Sequence, residues 1–174
     1  MAKWCYGIAA IIVCLDQATK MLANNYLVTE AINLLPILSL RLACNTGAAF
    51  SILEGASWLL IGVGVIFSAY FITQIWRLLS GSICEASAYT LILAGAIGNL
   101  IDRVAFGCVT DFVHFFYISN NDVYSFPIFN LADTAITLGA ACWIYFMLFQ
   151  ENANKSEGNK LNCHRLLPDH QACR

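Results

Sequence analysis

The sequence predicts an all-α membrane protein with four transmembrane helices, a small extracytoplasmic β-sheet and a surface loop. The first observation is composition: hydrophobic residues make up 59% of the 174 residues and charged residues only 11%, whereas about 25% is usual in soluble domains. The second observation is the mean hydropathy of +0.67, which also indicates a membrane protein. The third observation is a set of four separate apolar segments. The net charge of −2 offers no basic surface for nucleic acid, so we expect no such partner.

The apolar segments predict helices at about residues 4–23, 57–77, 86–104 and 131–150. A helix needs about 20 mostly apolar residues to cross a bilayer, and each segment meets or nearly meets that length. The second has no formal charge between Trp58 and Trp76, and Trp at both ends suits the membrane interfaces. Gly95 and Gly98 in the third let a neighbouring helix approach closely. We predict one transmembrane domain, residues 1–151, followed by a polar, loosely ordered tail, residues 152–174.

Basic residues predict the orientation of the helices, because Lys and Arg accumulate on the cytoplasmic side. Six of them lie at the two termini or between the second and third helices, and three lie on the opposite side. The first group is Lys3, Arg77, Lys155, Lys160, Arg165 and Arg174, and the second is Lys20, Arg41 and Arg103. We therefore expect both termini in the cytoplasm.

The two outer segments differ in character. "LSLRL", residues 38–42, alternates apolar and polar residues and predicts a strand between the first two helices. The segment from Gly107 to Asn130 is long and aromatic, with a polar tip at Asn120 to Asp122. We expect it to be a loop on the membrane surface.

The eight cysteines do not predict a disulfide framework. Cys5, Cys14, Cys84 and Cys142 lie in or beside apolar segments, and no Cys-x-x-Cys motif occurs. We expect free, buried thiols, since Cys behaves as a small hydrophobe. One tail cluster has zinc-ligand types, but its spacing fits no standard site: Cys163, His164, His170 and Cys173. We predict no metal and no cofactor.

Polar residues gather at the outer membrane boundary, all at the same end of their helices. They are Asp16, Lys20, Asn45, Asn99, Asp102, Arg103, Asp111, Asn130 and Asp133. Ionisable groups at membrane depth are costly and usually mark function. This cluster therefore predicts a site.

Several of these residues also have purely structural interpretations. Asn130 is a good N-cap, and Asp133 three positions later would then only favour the helix start. Asp16 and Lys20, four apart on one helix face, suit a structural ion pair. Arg103 could reach the interface or the last carbonyls of its helix. Asp111 could be solvated surface, but the aromatic residues after it predict poor hydration and a raised pKa.

Two aspartates at one depth suggest an aspartyl dyad. Carboxylates held about 3 Å apart share one proton. The ionised one takes a proton from water, and the neutral one protonates the carbonyl or the leaving amine. As a hypothesis, Asp133 is the base and Asp111 the acid in the first step, although the proton belongs to the pair.

Five stretches resemble, in order, the signature blocks of lipoprotein signal peptidase, bacterial signal peptidase II. They are "DQATK" (Asp16 to Lys20), "NTGAAF" (Asn45 to Phe50), "GNLIDR" (Gly98 to Arg103), "VTDF" (Val109 to Phe112) and "FNLAD" (Phe129 to Asp133). The resemblance covers about 150 residues, from the first helix to the end of the fourth. Only the tail lies outside it.

The resemblance implies an inner-membrane aspartyl endopeptidase without metal. Its substrates are diacylglyceryl-modified prolipoproteins, which it cleaves just before the lipidated cysteine, at the periplasmic side of the membrane. Asp111 and Asp133 match the catalytic pair. Residues matching positions that line or brace the site are Asn45, Asn99, Asp102, Arg103 and Asn130, with Asp16 and Lys20 as supporting residues. We expect contact with membrane lipids and a monomeric enzyme.

Three other classes fit less well. A proton-coupled transporter should place its charges near the bilayer midplane, but here they cluster at one boundary. A non-catalytic assembly subunit does not require two aspartates in register with amide side chains. A presenilin-like protease should carry a Gly-x-Gly-Asp motif, which the sequence lacks.

Overall fold

A computed structural model of the chain describes residues 2–47, 55–77, 82–120 and 122–166, with side chains described as far as residue 148. Its helices are α1 (Ala2–Tyr26), α2 (Ser57–Arg77), α3 (Ile83–Phe106) and α4 (Leu131–Leu166). Four stretches are long and apolar enough to cross a membrane: all of α1, α2 and α3, and Leu131–Leu148 of α4. The predicted four-helix layout is confirmed.

Helix α4 continues past its predicted end at residue 150, to Leu166. The segment contains helix-compatible Glu, Ala, Lys and Leu, and its first proline comes only at Pro168. The helix thus includes residues 152–166, for which we expected loose order. The side chains of Cys163 and His164, like His170 and Cys173, lie outside the described part of the chain, as do Ala48 to Phe50 of "NTGAAF" and Asn121 of the polar tip.

Helix α3 lies at the centre and contacts the other three helices. Small residues make this possible, because a Cβ added to Gly98 would lie 2.6 Å from Asp16 Oδ2 and 3.2 Å from the Cβ of Ala132. A Cβ on Gly95 would lie 2.6 Å from Ile136 Cγ1. The predicted close approach at these two glycines is confirmed. The outer helix faces remain apolar and exposed, as lipid contact requires.

The two ends of the bundle have opposite chemistry. At the end near the N-terminus, apolar residues of α1, α2 and α3 form a core cluster: Cys5, Phe71, Ile75, Ala86, Tyr89 and Leu93. At the other end the buried residues are largely polar and charged, including Asp16, Lys20, Asp102 and Asp111. The polar residues of the predicted site therefore do meet at one end.

The outer segments form one antiparallel sheet in the order β1-β2-β3-β4: β1 (Ile32–Leu35), β2 (Leu38–Asn45), β3 (Val109–Ser119) and β4 (Asp122–Ser125). The predicted strand is β2. Much of the expected aromatic loop instead supplies β3 and β4, because β-branched and aromatic residues favour a pleated, half-buried surface. Helix α3 ends at Gly107, whose left-handed φ of 76° turns the chain directly into β3. Asp102 and Asp111 are thereby brought to one end of α3.

Cys44 of β2 and Cys108, the residue before β3, form a disulfide. The expectation of free thiols is thus wrong for this pair. The sequence interval of 64 residues hides the pairing, and the fold brings the two Cα atoms to 5.6 Å. The four helix cysteines whose side chains the structure describes are free: Cys5 is buried, Cys14 is exposed, and Cys84 and Cys142 are half-buried.

Candidate active site

Asp111 is the third residue of β3 and is only 2% exposed. Its Oδ1 accepts a hydrogen bond from Asn130 Nδ2 at 2.7 Å, and its Oδ2 accepts one from Asn45 Nδ2 at 3.0 Å. The two donors come from opposite neighbours in the fold, β2 and the residue preceding α4. Both oxygens of the buried carboxyl group are therefore hydrogen-bonded.

Asp133 is the third residue of α4 and is half-buried. Its backbone N–H donates to Asn130 Oδ1 at 2.8 Å, while its Oδ2 accepts from the Asn130 backbone N–H at 3.3 Å. This reciprocal pair is the capping arrangement that the Asn-x-x-Asp spacing predicts. Asp133 Oδ1 also accepts from Asn99 Nδ2 at 2.8 Å. Asn130 thus contacts both aspartates, which we call the carboxylate pair.

Three asparagine amides point their NH₂ groups at the carboxylate pair, and each orientation has a physical cause. An amide oxygen must face a group that can only donate. Asn99 Oδ1 faces the Lys20 ammonium at 3.0 Å, and Asn45 Oδ1 faces the Gly47 backbone N–H at 3.0 Å. Asn130 Oδ1 faces the Asp133 N–H. Each NH₂ group is therefore left to donate to a carboxylate.

Lys20 lies beneath this layer and is 2% exposed. Its ammonium group makes three contacts, with Asp16 Oδ2 at 2.8 Å, Asp102 Oδ2 at 3.2 Å and Asn99 Oδ1 at 3.0 Å. A buried charge is tolerated only when it is paired and hydrogen-bonded, and here all three N–H donors are used. The predicted Asp16–Lys20 ion pair is present, and Asp102 joins it.

The two carboxylates around Lys20 also connect the surrounding elements. Asp16 Oδ1 accepts from the Ala132 N–H at 2.9 Å, at the start of α4. Asp102 Oδ2 accepts from the Thr110 N–H at 2.9 Å, in β3. Gln17 Nε2 bridges α1 to α3 by donating to Asp102 Oδ1 at 3.0 Å. This charged cluster therefore fixes the segments that carry Asp111 and Asp133.

Arg103 lies between the carboxylate pair and the segment after β2. One guanidinium nitrogen donates to the Gly47 carbonyl at 2.9 Å, and the group interacts electrostatically with Asp133 and Asp111. Its Nε–H is buried and has no hydrogen-bond partner among the residues that the structure describes. An unpaired buried donor is costly, so Arg103 keeps one unused hydrogen-bond donor at the site.

Burial raises the pKa of Asp111 from 3.8 to about 6. The negative charge of Asp133 adds to this rise, while the hydrogen bonds from Asn45 and Asn130 and the charge of Lys20 oppose it. The raised pKa of Asp111 predicted from its poor hydration is thus present, with burial as the largest cause. A carboxyl group with a pKa of about 6 can hold its proton at a higher pH than an ordinary aspartate does.

Two cavities meet at this site. The first, of about 460 Å³, is lined by Asp111, Asn45 and polar backbone near Gly47. The second, of about 490 Å³, is lined by Asp133, Asn99 and Arg103 and by apolar side chains of α4 such as Ile136 and Leu138. Asn45 and residues 126–128 line both. One aspartate therefore faces each cavity.

The structure brings all nine sequence-predicted residues to one end of the bundle. Asn45, Asn99 and Asn130 contact the carboxylate pair directly, and Arg103 lies beside it. Asp16, Lys20 and Asp102 form the cluster beneath. Sequence reasoning missed Gln17 and the Cys44–Cys108 disulfide. Their positions in the sequence could have indicated them, because Gln17 lies inside "DQATK" and each cysteine lies within three residues of a predicted site residue.

The fold and site define a polytopic membrane protein with a candidate hydrolytic site. They combine four membrane-capable helices, a sheet at one end of the bundle and a carboxylate pair beside two cavities. The sequence profile of the signal peptidase (SPase) II family matches residues 8–149. The chain therefore belongs to the signal peptidase II family, whose members are proteases that remove signal peptides from prolipoproteins.

Individual relatives support this membership. A lipoprotein signal peptidase of Pseudoalteromonas translucida is 38% identical over 143 residues, covering 79% of this chain and 84% of the relative. One of Acinetobacter baylyi is 37% identical, with coverages of 83% and 82%. A solved structure of a bacterial membrane enzyme superposes with a TM-score of 0.74 at 30% identity, covering 88% of this chain and 92% of the other. The fold is thus shared along most of its length.

Proposed function

We propose that this chain is an aspartyl endopeptidase that cleaves diacylglyceryl-modified prolipoproteins just before the lipidated cysteine, with Asp111 and Asp133 activating water. One observation carries the proposal. Two carboxylates from different elements, β3 and α4, both contact Asn130, and each also accepts an amide N–H from a second asparagine. This arrangement suits two acids that share one proton.

The chemistry needs one ionised and one protonated aspartate. Asp133 accepts N–H bonds at the N-terminus of α4, which favour its ionised form. In the first step it takes a proton from water as the water oxygen bonds to the scissile carbonyl carbon. Asp111 gives its proton to the carbonyl oxygen. The C–N bond then breaks as the amine nitrogen takes the proton from Asp133, and Asp111 recovers its own from the hydroxyl group.

Arg103 and the asparagines hold the substrate in this scheme. The buried Nε–H of Arg103, without a partner among the described residues, faces the site and suits a substrate carbonyl. Fixed donors of this kind stabilise developing negative charge without reorganisation. The charged cluster of Asp16, Lys20 and Asp102 supports the site, since it touches neither cavity and contacts the carboxylate pair only through Asn99 and the backbone.

The cavity beside Asp133 suits a lipid-linked substrate. Its wall includes Ile136 and Leu138 of α4, and Leu138 is 54% exposed on the lipid-facing surface. An apolar group can therefore reach Asp133 from the membrane. The cavity beside Asp111 is more polar and lies under the sheet. It suits peptide on the aqueous side of the scissile bond.

The proposed location is the bacterial inner membrane, with both termini cytoplasmic and the site on the periplasmic side. The distribution of Lys and Arg supports this orientation. The Cys44–Cys108 disulfide supports it independently, because disulfides persist in oxidising compartments such as the periplasm. We propose further that the enzyme is monomeric and uses no metal.

The test is a gel-shift cleavage assay with purified protein in detergent. A diacylglyceryl-modified prolipoprotein and its unlipidated form are each mixed with wild type, Asp111→Asn or Asp133→Asn. We expect cleavage of the lipidated substrate alone, by wild type alone, and no effect of EDTA. Asp122→Asn is the matched control, because Asp122 is an exposed carboxylate on β4. It should cleave as wild type does.

Each outcome decides a separate part of the proposal. Normal turnover by a folded Asp111→Asn or Asp133→Asn variant excludes the dyad. Loss of activity with EDTA in the wild type contradicts the metal-free mechanism. Cleavage of the unlipidated precursor contradicts the substrate class.

A further inference from the structure

The Cys44–Cys108 disulfide lies next to the carboxylate pair. Cys44 immediately precedes Asn45, whose amide donates to Asp111, and Cys108 lies three residues before Asp111. In the register of the sheet, Cys44 pairs with Thr110, so the disulfide joins diagonal neighbours of the two strands. It covalently connects β2 to the turn at which α3 becomes β3.

The strand pairing at this point is short. The register of β2 and β3 shifts between Leu40 and Ala43, so Arg41 and Leu42 together oppose Phe112. Beyond this bulge only three pairs remain, Ala43 with Asp111, Cys44 with Thr110 and Asn45 with Val109. Bulges disrupt the ladder locally, and short terminal segments open more readily than long ones. Asn45 is the last residue of β2 and lies where the pairing is weakest.

The other contacts of this segment are single hydrogen bonds. Ser57 Oγ lies 2.6 Å from the Gly107 carbonyl and only 3.4 Å from the Thr46 carbonyl, so it links the two segments weakly. The Gly47 N–H turns the Asn45 amide oxygen away from the Asp111 carboxylate, but it belongs to the same segment and moves with it. Arg103 holds the Gly47 carbonyl at 2.9 Å through a long, flexible side chain. The disulfide instead attaches the residue next to Asn45 to the backbone that carries Asp111.

We infer that Cys44 and Cys108 are positioning residues, whose disulfide holds Asn45 within hydrogen-bond distance of Asp111. The inference rests on the proposed function, because it assigns the disulfide an effect on the same site. Cys44 is exposed and Cys108 is buried, so a reductant in the aqueous phase reaches the bond from the Cys44 side. The role differs from general stabilisation, since it acts through one amide and one carboxylate.

The decisive experiment is a mutational cycle in the cleavage assay. It compares wild type, Cys44→Ser/Cys108→Ser, Asn45→Ala and the triple variant. The loss of a hydrogen bond to a charged group corresponds to about a tenfold change in rate. We expect the double cysteine variant to lose about tenfold in kcat with little change in KM, and the triple variant to match Asn45→Ala.

The pH profile supplies a second readout that a purely structural disulfide does not move. Losing the Asn45 donor raises the pKa of Asp111, so the limb of the profile that reports this residue should shift to higher pH in both Asn45→Ala and the double cysteine variant. Asp133 on α4, Lys20 on α1 and Arg103 on α3 also act on Asp111. They are unchanged in all four proteins, so the comparison isolates Asn45.

A phosphine reductant makes the same change without mutation. The phosphine gives two electrons to the S–S bond, two thiols form with protons from water, and the phosphine leaves as its oxide. Wild-type activity should fall to the level of the double cysteine variant, which itself should not respond. Cys14→Ser is the control, because Cys14 is an exposed free thiol of α1 and takes no part in the disulfide. It should behave as wild type before and after reduction.

A measurement without turnover separates this inference from the proposed function. The side-chain NH₂ signal of Asn45, labelled with ¹⁵N in detergent, should follow the titration of Asp111 in wild type and lose that dependence in the double cysteine variant. Three results overturn the inference. They are an unchanged pH dependence of this signal, a triple variant whose loss is the product of the two separate losses, and free thiols at Cys44 and Cys108 in enzyme isolated from membranes. Absence of cleavage by wild type overturns the proposed function instead, and the Asn45 signal still decides the role of the disulfide.

Discussion

Replacing Asn130 should separate the stability of α4 from the activity of the site, because this side chain serves both. Asn130 is fully buried. Its Oδ1 caps α4 through the Asp133 N–H at 2.8 Å, and its Nδ2 donates to Asp111 Oδ1 at 2.7 Å. Asn130→Ala removes both contacts, together with the Nδ2 hydrogen bonds to Asn99 Oδ1 at 3.1 Å and the Thr110 carbonyl at 3.4 Å. Asn130→Ser keeps a capping oxygen but is too short to reach Asp111, so it keeps the cap and loses the Nδ2 contacts.

The magnitudes follow from the two contacts. Losing an N-cap to Ala costs about 1 kcal/mol, whereas Ser caps about as well as Asn. Losing a hydrogen bond to a charged group costs about 1.5–3 kcal/mol. If the bond contributes that much more in the transition state than in the free enzyme, its loss corresponds to roughly 10- to 150-fold in kcat/KM. We therefore expect Ser to be more stable than Ala by about 1 kcal/mol, both to be less stable than wild type because the buried Asp111 carboxylate loses a donor, and both to lose activity similarly.

The assay pairs thermal unfolding in detergent with cleavage of the lipidated precursor. Asn130→Asp adds a third comparison, because it keeps a good cap but turns an acceptor towards Asp111. It should be the least active of the three. Full activity in Asn130→Ser refutes the reasoning, since it shows that the contact with Asp111 contributes nothing to turnover. Equal loss of stability in Ser and Ala refutes the assignment of the cap.

Two further predictions concern packing and pH. Gly98→Ala should destabilise the protein and lower its activity, because the new Cβ would lie 2.6 Å from Asp16 Oδ2. The control is Gly62→Ala, which has nothing within 4 Å of its Cβ and should gain about 1 kcal/mol from helix propensity. Equal shifts of the unfolding temperature in the two variants would contradict this explanation. Because folding raises the pKa of Asp111 from 3.8 to about 6, the folded state binds more protons between these values, so stability falls as pH rises from about 4 to 6. Asp111→Asn should lose this dependence and be more stable than wild type at pH 7, and an unchanged pH dependence of unfolding would show that burial of Asp111 is not its source.

The features of the fold that depend on local sequence patterns could be predicted from the sequence. Apolar segments of membrane length predicted four helices, and the structure has them. The Asn-x-x-Asp spacing predicted the cap of α4, and the i,i+4 spacing of Asp16 and Lys20 predicted their ion pair. Each of these contacts lies within one element. Periodicity and spacing were therefore sufficient.

Features that depend on packing between elements were beyond the sequence pattern. Asp102 as a second partner for Lys20 requires the contact of α3 with α1, and the disulfide requires closure over 64 residues. The strands β3 and β4 were missed because their aromatic residues fall on both faces and give no period-two alternation.

The buried Lys20 also has a consequence for the order in which the chain enters the membrane. Helix α1 emerges from the ribosome well before α3, so Asp102 is not yet available when Lys20 is inserted. Asp16 is available, because it lies one turn away on the same helix at 2.8 Å. Mutual neutralisation within α1 lowers the cost of placing either charge alone in lipid. The ion pair that supports the mature site therefore also lets the first helix enter the bilayer before its partners have been made.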